Sequence, residues 1–177
     1  MAPRLAGAAL WVALLSLALF AAPPPAPDAG AQVLRLLTGH VDDRCLFALF
    51  NLMGVWPLAM AVALRGDPPW KWPFLVGSLA AGAFALLPWL VLRPWGETPR
   101  PRSRVDRALG SRWLRGGLGI AAVGLTALFL SGDLGAFAQR WRTEQFPFVM
   151  SLDFAAMTLA RGLLALEHTK PRAPKGA

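Results

Sequence analysis

The chain has 177 residues, of which 55% are hydrophobic and 16% are charged, and its mean hydropathy is +0.46. Soluble domains carry about 25% charged residues, so this composition excludes an ordinary soluble domain and is typical of a membrane protein. The net charge of +8 does not indicate nucleic-acid binding, because the arginines cluster in short segments between apolar runs. Cys45 is the only cysteine, which excludes an intrachain disulfide and a CxxC motif, and His40 and His168 match no zinc or haem signature. The sequence therefore predicts neither a cofactor nor a metal site.

Five apolar runs follow one another along the chain. They cover 5–22, 46–64, 73–92, 116–131 and 146–166. Their lengths are close to the roughly 20 residues that an α-helix needs to cross the hydrocarbon core of a bilayer. Helices are expected because backbone groups in lipid must form hydrogen bonds within their own segment. The sequence thus predicts an all-α, polytopic transmembrane helix bundle of about five helices, with one domain over 1–170 and a disordered tail over 171–177.

The first run permits two interpretations. Its basic start at Arg4 and its small residues near the end are typical of a secretory signal, and cleavage there would leave four crossing helices. Its length and the proline-rich segment 23–27 favour an uncleaved helix, which the prolines terminate.

The second run carries one amide, Asn51, and a Trp56–Pro57 pair near its middle. Pro57 leaves the carbonyl of Met53 without its helical donor, which predicts a kink. Such a kink either shapes a pocket for an apolar ligand or is absorbed by neighbouring helices. Asn51 is predicted to link helices, and a contact with Arg161 is possible at that depth.

The third and fourth runs contain small residues at four-residue spacing, which predicts close helix contacts. These residues are Gly77, Ala81, Ala85, Ser78, Gly82, Gly117 and Ala121. Tryptophans at both ends of the third run suit the headgroup region. No run carries a polar stripe, so a pore is not expected.

The fifth run contains two ionisable residues, Asp153 and Arg161. An acid this deep in a span is either functional, as a proton relay or ligand partner, or a structural tie between helices, for which Ser78 on the third run is the candidate partner. Arg161 lies near the end of its run and can extend its guanidinium to the interface. The two residues are too far apart along the helix to pair.

Positive charges predict the orientation. With five crossings, thirteen of the eighteen lysines and arginines fall on the side that holds 23–45, 93–115 and the tail. Cytoplasmic loops carry the excess of positive charge, so the N-terminus is predicted outside and the C-terminus in the cytoplasm.

Several strings resemble a small family of uncharacterised multi-pass membrane proteins of cyanobacteria and plastids. These are LFNLMGVWPLAMAVAL, WPFLVGSLAAGAFALLPWLVLR, SRWL, GDLGAFAQRW and FVMSLDF, and the resemblance spans roughly 20–165. It implies a membrane topology, a photosynthetic membrane, and Asn51, Trp56, Pro57 and Asp153 as signature positions.

The sequence contains no catalytic set of residues and favours a non-enzymatic protein. We expect an accessory or assembly factor of a larger membrane complex, surrounded by membrane lipid and without nucleic acid, in a bacterial inner membrane or a thylakoid. The alternative is an enzyme or binder of an apolar ligand such as a carotenoid, quinone or lipid, with Asp153 as its polar group.

Overall fold

The computed structural model describes residues 2–40, 42–95 and 103–169, with side chains up to residue 166. Within these residues all regular structure is helical. The helices are α1 (Ala2–Ser16, continued by a π-helical turn over Leu17–Ala21), α2 (Ala29–Leu37), α3 (Arg44–Ala63), α4 (Trp72–Leu92), α5 (Arg104–Leu109), α6 (Arg112–Leu130), α7 (Leu134–Thr143) and α8 (Gln145–Thr169). The predicted tail, 171–177, lies outside the described residues.

Five segments are long and apolar enough to cross a membrane. They are Ala2–Ala21, Arg44–Ala63, Pro69–Leu92, Arg112–Leu130 and Gln145–Leu166. This confirms the all-α bundle with five long apolar helices. The fourth run is longer than predicted, because the Ser111 hydroxyl accepts a hydrogen bond from the Trp113 N–H and starts α6 before the glycines.

The third run differs from the prediction of a single crossing, because α4 is folded back on itself. Gly82 has φ 53° and ψ −132°, which breaks α4 into two half-helices over 72–81 and 83–92. Asp67 precedes α4 and Arg93 follows it, yet the two form a bidentate ion pair at 3.0 Å. A straight helix of this length would hold its ends about 30 Å apart. The two halves are therefore antiparallel and form a hairpin with Gly82 at its tip. Trp89 on the second half meets Trp70, which precedes the first half, edge to face (centroids 4.5 Å apart).

The fold-back places both ends of α4 at one end of the bundle, which we call the base. The start of α1 is also there, since Arg4 Nη2 donates to the carbonyl of Arg93 at 3.3 Å. The opposite end holds the start of α8, where the Gln145 N–H donates to the carbonyl of Pro24 at 3.3 Å. Helices α1 and α6 run away from the base, and α3 and α8 run towards it.

The structure does not support the predicted placement of the two chain ends on opposite sides of the membrane. That placement required every long helix to traverse the bundle, and α4 does not. The start of α1 and the end of α8 both lie at the base, where Leu164 of α8 packs in one cluster with Leu64 and Trp89.

The second half of α4 forms the centre of the core. Leu86, Leu87, Trp89 and Leu90 are fully buried, and α1, α3 and α8 surround them. The packing of α1 favours the uncleaved helix, because Leu14 is buried in this same cluster. A smaller cluster around Leu36, Leu46, Leu49 and Met150 fills the opposite end.

Helix α6 lies at the edge of the bundle and packs mainly against α3. Half-buried positions recur along it every three or four residues, which is the spacing of one helix face. They are Leu114, Leu118, Ala121, Leu125 and Leu128. Gly117 lies off this face, and a Cβ there would meet nothing within 4 Å. Of the predicted contact pair Gly117 and Ala121, only Ala121 is on the packed face.

Candidate functional site: Asp153 at the tip of the α4 hairpin

Asp153 on α8 lies against the break in α4. It is 3% exposed, and its Oδ1 accepts a hydrogen bond from the backbone N–H of Ala83 at 2.6 Å. The N–H of Phe84 faces the same carboxyl. These groups open the second half-helix of α4, where backbone N–H groups have no intrahelical acceptor. Asp153 therefore caps a half-helix inside the bundle.

Gly82 makes the close approach of Asp153 possible. Its positive φ belongs to a region that residues with a side chain rarely adopt. A Cβ at Gly82 would also collide with the Asp153 carboxyl. The second carboxyl oxygen, Oδ2, is buried and accepts no hydrogen bond from the described residues. Sequence reasoning assigned Gly82 to helix packing only; a glycine within an apolar run was the available signal.

Ser78 is not the partner of Asp153, contrary to the prediction. Its hydroxyl donates to the carbonyl of Leu75 at 2.7 Å, within its own half-helix. The predicted depth of Ser78 assumed a straight α4, and the fold-back removes that relation. The acid does tie two helices together, as one of the two interpretations held, but it bonds to backbone.

Asn51 and Arg161 are not brought together. Asn51 Nδ2 donates to the carbonyl of Phe47 at 2.8 Å, one turn back along α3. Arg161 is half-buried on α8 and forms no ion pair with any side chain in the described part of the chain. Neither residue joins the Asp153 site.

Trp56 lies close to this site, and α3 continues through the neighbouring Pro57. The Trp56 ring is 5.9 Å from that of Phe154, the residue after Asp153. Its Nε1 is buried and has no acceptor among the described residues. Pro57 is buried within α3, which stays helical through it. The irregular backbone of the bundle is at Gly82.

No known protein family, curated protein or solved structure matches the chain. The resemblance to the cyanobacterial and plastid family therefore stays a prediction. The described residues also contain no group of three or more His, Cys, Asp or Glu side chains that could hold a metal ion. What the site can do follows from its geometry alone.

A buried ionic network closes the base beneath the hairpin. Lys71, 1% exposed, donates from Nζ to Asp106 Oδ1 and to the carbonyl of Leu64, both at 2.9 Å. Ser103 and Asp106 cap α5 reciprocally, so one carboxylate both starts α5 and binds Lys71. Arg93 adds a second link through its ion pair with Asp67. The base of the hairpin is thus fastened to the end of α3 and to α5.

A pH dependence follows from the Asp106 carboxyl. Burial alone would raise its pKa, but the hydrogen bonds from Lys71 and Ser103 hold that pKa below its usual value. A carboxyl whose pKa is lower in the folded state stabilises the fold above its unfolded pKa of about 4, and that contribution is lost as the pH falls further. We expect the thermal stability in detergent to fall below about pH 4, and less so in Asp106→Asn. An equal acid sensitivity of the two proteins would contradict this role.

A third ionic cluster fastens the opposite end of the bundle. Arg140 on α7 binds Asp43 at 2.9 Å and Glu144 at 2.8 Å. The hydrogen bond with Glu144, together with the charges of both acids, raises the pKa of Arg140. A cleft of about 200 Å³ opens beside this cluster, and polar side chains of α2 and the following loop line it. The cluster holds α7 against the start of α3 and does not reach Asp153.

Proposed function

We propose that this protein is an integral membrane protein that acts by contact, as an accessory or assembly factor of a larger membrane complex. The observation that carries the proposal is the outward face of α6. None of the 19 residues of α6 is buried, and Trp113, Ile120 and Val123 are 72–78% exposed. Gly116 and Gly124 lie on the exposed side, with open space where a Cβ would be. Small residues among large apolar ones allow another transmembrane helix to approach closely.

The polar groups inside the spans support this non-enzymatic proposal. Asp153, Asn51 and Ser78 all bond to backbone atoms of the chain itself. The bond of Asp153 joins α8 to α4, whereas those of Asn51 and Ser78 lie within their own helices. All three leave few groups for chemistry. Its proposed location is a bacterial inner membrane; a thylakoid membrane is the alternative, in keeping with the photosynthetic membrane that the resemblance described above implies.

The first test measures the native size of the full chain, purified in mild detergent from its own membranes. We expect wild type to migrate within a much larger assembly, and Gly124→Leu to migrate as a small particle. Gly54→Leu is the matched control, because Gly54 is an exposed glycine of α3 with equally open surroundings. A small wild-type particle, or equal loss of the assembly in both variants, would contradict the proposal.

A second candidate function is the binding of an apolar ligand such as a carotenoid, quinone or lipid. It is favoured by two buried polar atoms on neighbouring helices that lack partners in the described part of the chain, the Trp56 Nε1 donor and the Asp153 Oδ2 acceptor. A ligand with a hydroxyl or carbonyl group could complete one of these bonds. Mass spectrometry and an absorption spectrum of the purified protein test this, since Trp56→Phe removes only the donor. If wild type and Trp56→Phe retain the same compound, Trp56 Nε1 does not bind that ligand.

A further inference from the structure

We infer that α4 is a re-entrant hairpin, which enters the membrane from the cytoplasmic side and returns to that side. The chain then crosses the bilayer four times, through α1, α3, α6 and α8. The start of α1 and the end of α8 both lie on the cytoplasmic side. This inference is independent of the proposed function. It rests on the geometry of α4, on the surroundings of its tip and on the distribution of positive charge.

The depth of the hairpin fits a half-crossing. Each half-helix has ten residues and is about 15 Å long, which is half of the roughly 30 Å hydrocarbon core. Gly82 therefore lies near mid-membrane when the ion pair of Asp67 and Arg93 lies at the interface. Asp153 is eight residues beyond the start of α8 at Gln145, about 12 Å from the opposite interface, and it meets Gly82 at that depth.

The tip is protected from lipid, as irregular backbone in a membrane must be. Gly82 and Ala83 are buried, and Asp153 binds the first free N–H. In the same half-helix, the carbonyl of Phe84 lacks its helical donor because residue 88 is a proline. Trp11 Nε1 of α1 donates to this carbonyl at 3.2 Å. Side chains from two neighbouring helices thus satisfy a donor and an acceptor of the broken segment.

The charge distribution indicates on which side of the membrane the base lies. With four crossings, Arg4, Arg65 and Lys71 join the side that holds 93–115 and the tail, while Arg35 and Arg44 leave it. The basic side then carries fourteen of the eighteen lysines and arginines, against thirteen with five crossings. The four that remain opposite are Arg35, Arg44, Arg140 and Arg142. The stronger asymmetry assigns the base of the bundle to the cytoplasm.

Cysteine labelling of the full chain tests the inference. In a Cys45→Ser background, single cysteines are placed at exposed positions: Pro69 before α4, Ala108 after it, and Asp42 and Gln139 at the opposite end. A membrane-impermeant maleimide is applied to intact cells and to inverted vesicles. We expect the cysteines at 69 and 108 to react only in inverted vesicles, and those at 42 and 139 only in intact cells.

Five full crossings would give a different pairing, with 69 labelled like 139 and 108 labelled like 42. That pattern would overturn the hairpin. The expected pairing with the two sides exchanged would overturn the cytoplasmic assignment. Each variant must elute like wild type in detergent. Arg107→Cys replaces the cysteine at 108, and Asp28→Cys replaces the cysteine at 42, if either of these does not, since both positions are exposed in the same segments.

Discussion

Replacing Gly82 with alanine is expected to destabilise the folded bundle by about 2–6 kcal/mol. A residue with a side chain held at positive φ costs about 1–3 kcal/mol. Forcing an extra carbon into a packed site costs about 1–3 kcal/mol more, and here the new Cβ would meet the Asp153 carboxyl. The measurement is the free energy of unfolding in detergent, or the folded fraction after heating. Gly162→Ala is the matched control, because Gly162 lies in α8 with open space around it, and alanine there should stabilise by up to about 1 kcal/mol.

The double variant Gly82→Ala/Asp153→Ala separates the collision from the strain. Asp153→Ala alone should cost about 1–3 kcal/mol, since it leaves the Ala83 N–H buried without an acceptor. In the double variant the collision is gone, so the combined loss should be smaller than the sum by about 0.5–3 kcal/mol. Additive losses would show that the two residues do not meet at the tip.

Replacing Lys71 with methionine should destabilise the protein by about 3–5 kcal/mol. Methionine keeps an unbranched apolar stem, one atom shorter than that of lysine, but leaves the buried carboxylate of Asp106 without its cation. The double variant Lys71→Met/Asp106→Asn should recover part of this loss, because asparagine removes the charge and can still cap α5.

Arg35→Met is the control for loss of a positive charge. Both ion pairs of Arg35 are exposed, with side chains 53–71% accessible, and such pairs contribute about 0–1 kcal/mol. Urea or thermal unfolding in the same detergent measures all these variants together. A loss in Lys71→Met no larger than in Arg35→Met would contradict the buried network.

The number, type and approximate bounds of the long helices follow from apolar run length, because lipid leaves the backbone no other way to pair. The shape of the third run does not follow. A glycine within an apolar run reads the same in a straight helix and in a hairpin, and the residue that stabilises the break, Asp153, is 71 positions further along the chain.

Asp153 itself was identifiable from the sequence, because a carboxyl in an apolar span is costly and needs a partner. Its partner was not, since depth arguments for Ser78 assumed a straight helix. Likewise, Lys71 and Asp106 lie in segments whose composition is typical of loops. They are 35 residues apart in the chain, and nothing local in the sequence shows that they form an ion pair.

The capping of α4 by α8 has a consequence for biogenesis. During synthesis the hairpin emerges well before Asp153, so its tip has no carboxyl acceptor until the last helix enters the bilayer. An insertion machinery that reads hydropathy alone would accept 73–92 as a full crossing. We therefore expect chains truncated before α8, including reporter fusions made between α4 and α8, to place 93–111 on the side opposite to that of the complete chain. The final helix would then set the topology of segments synthesised long before it.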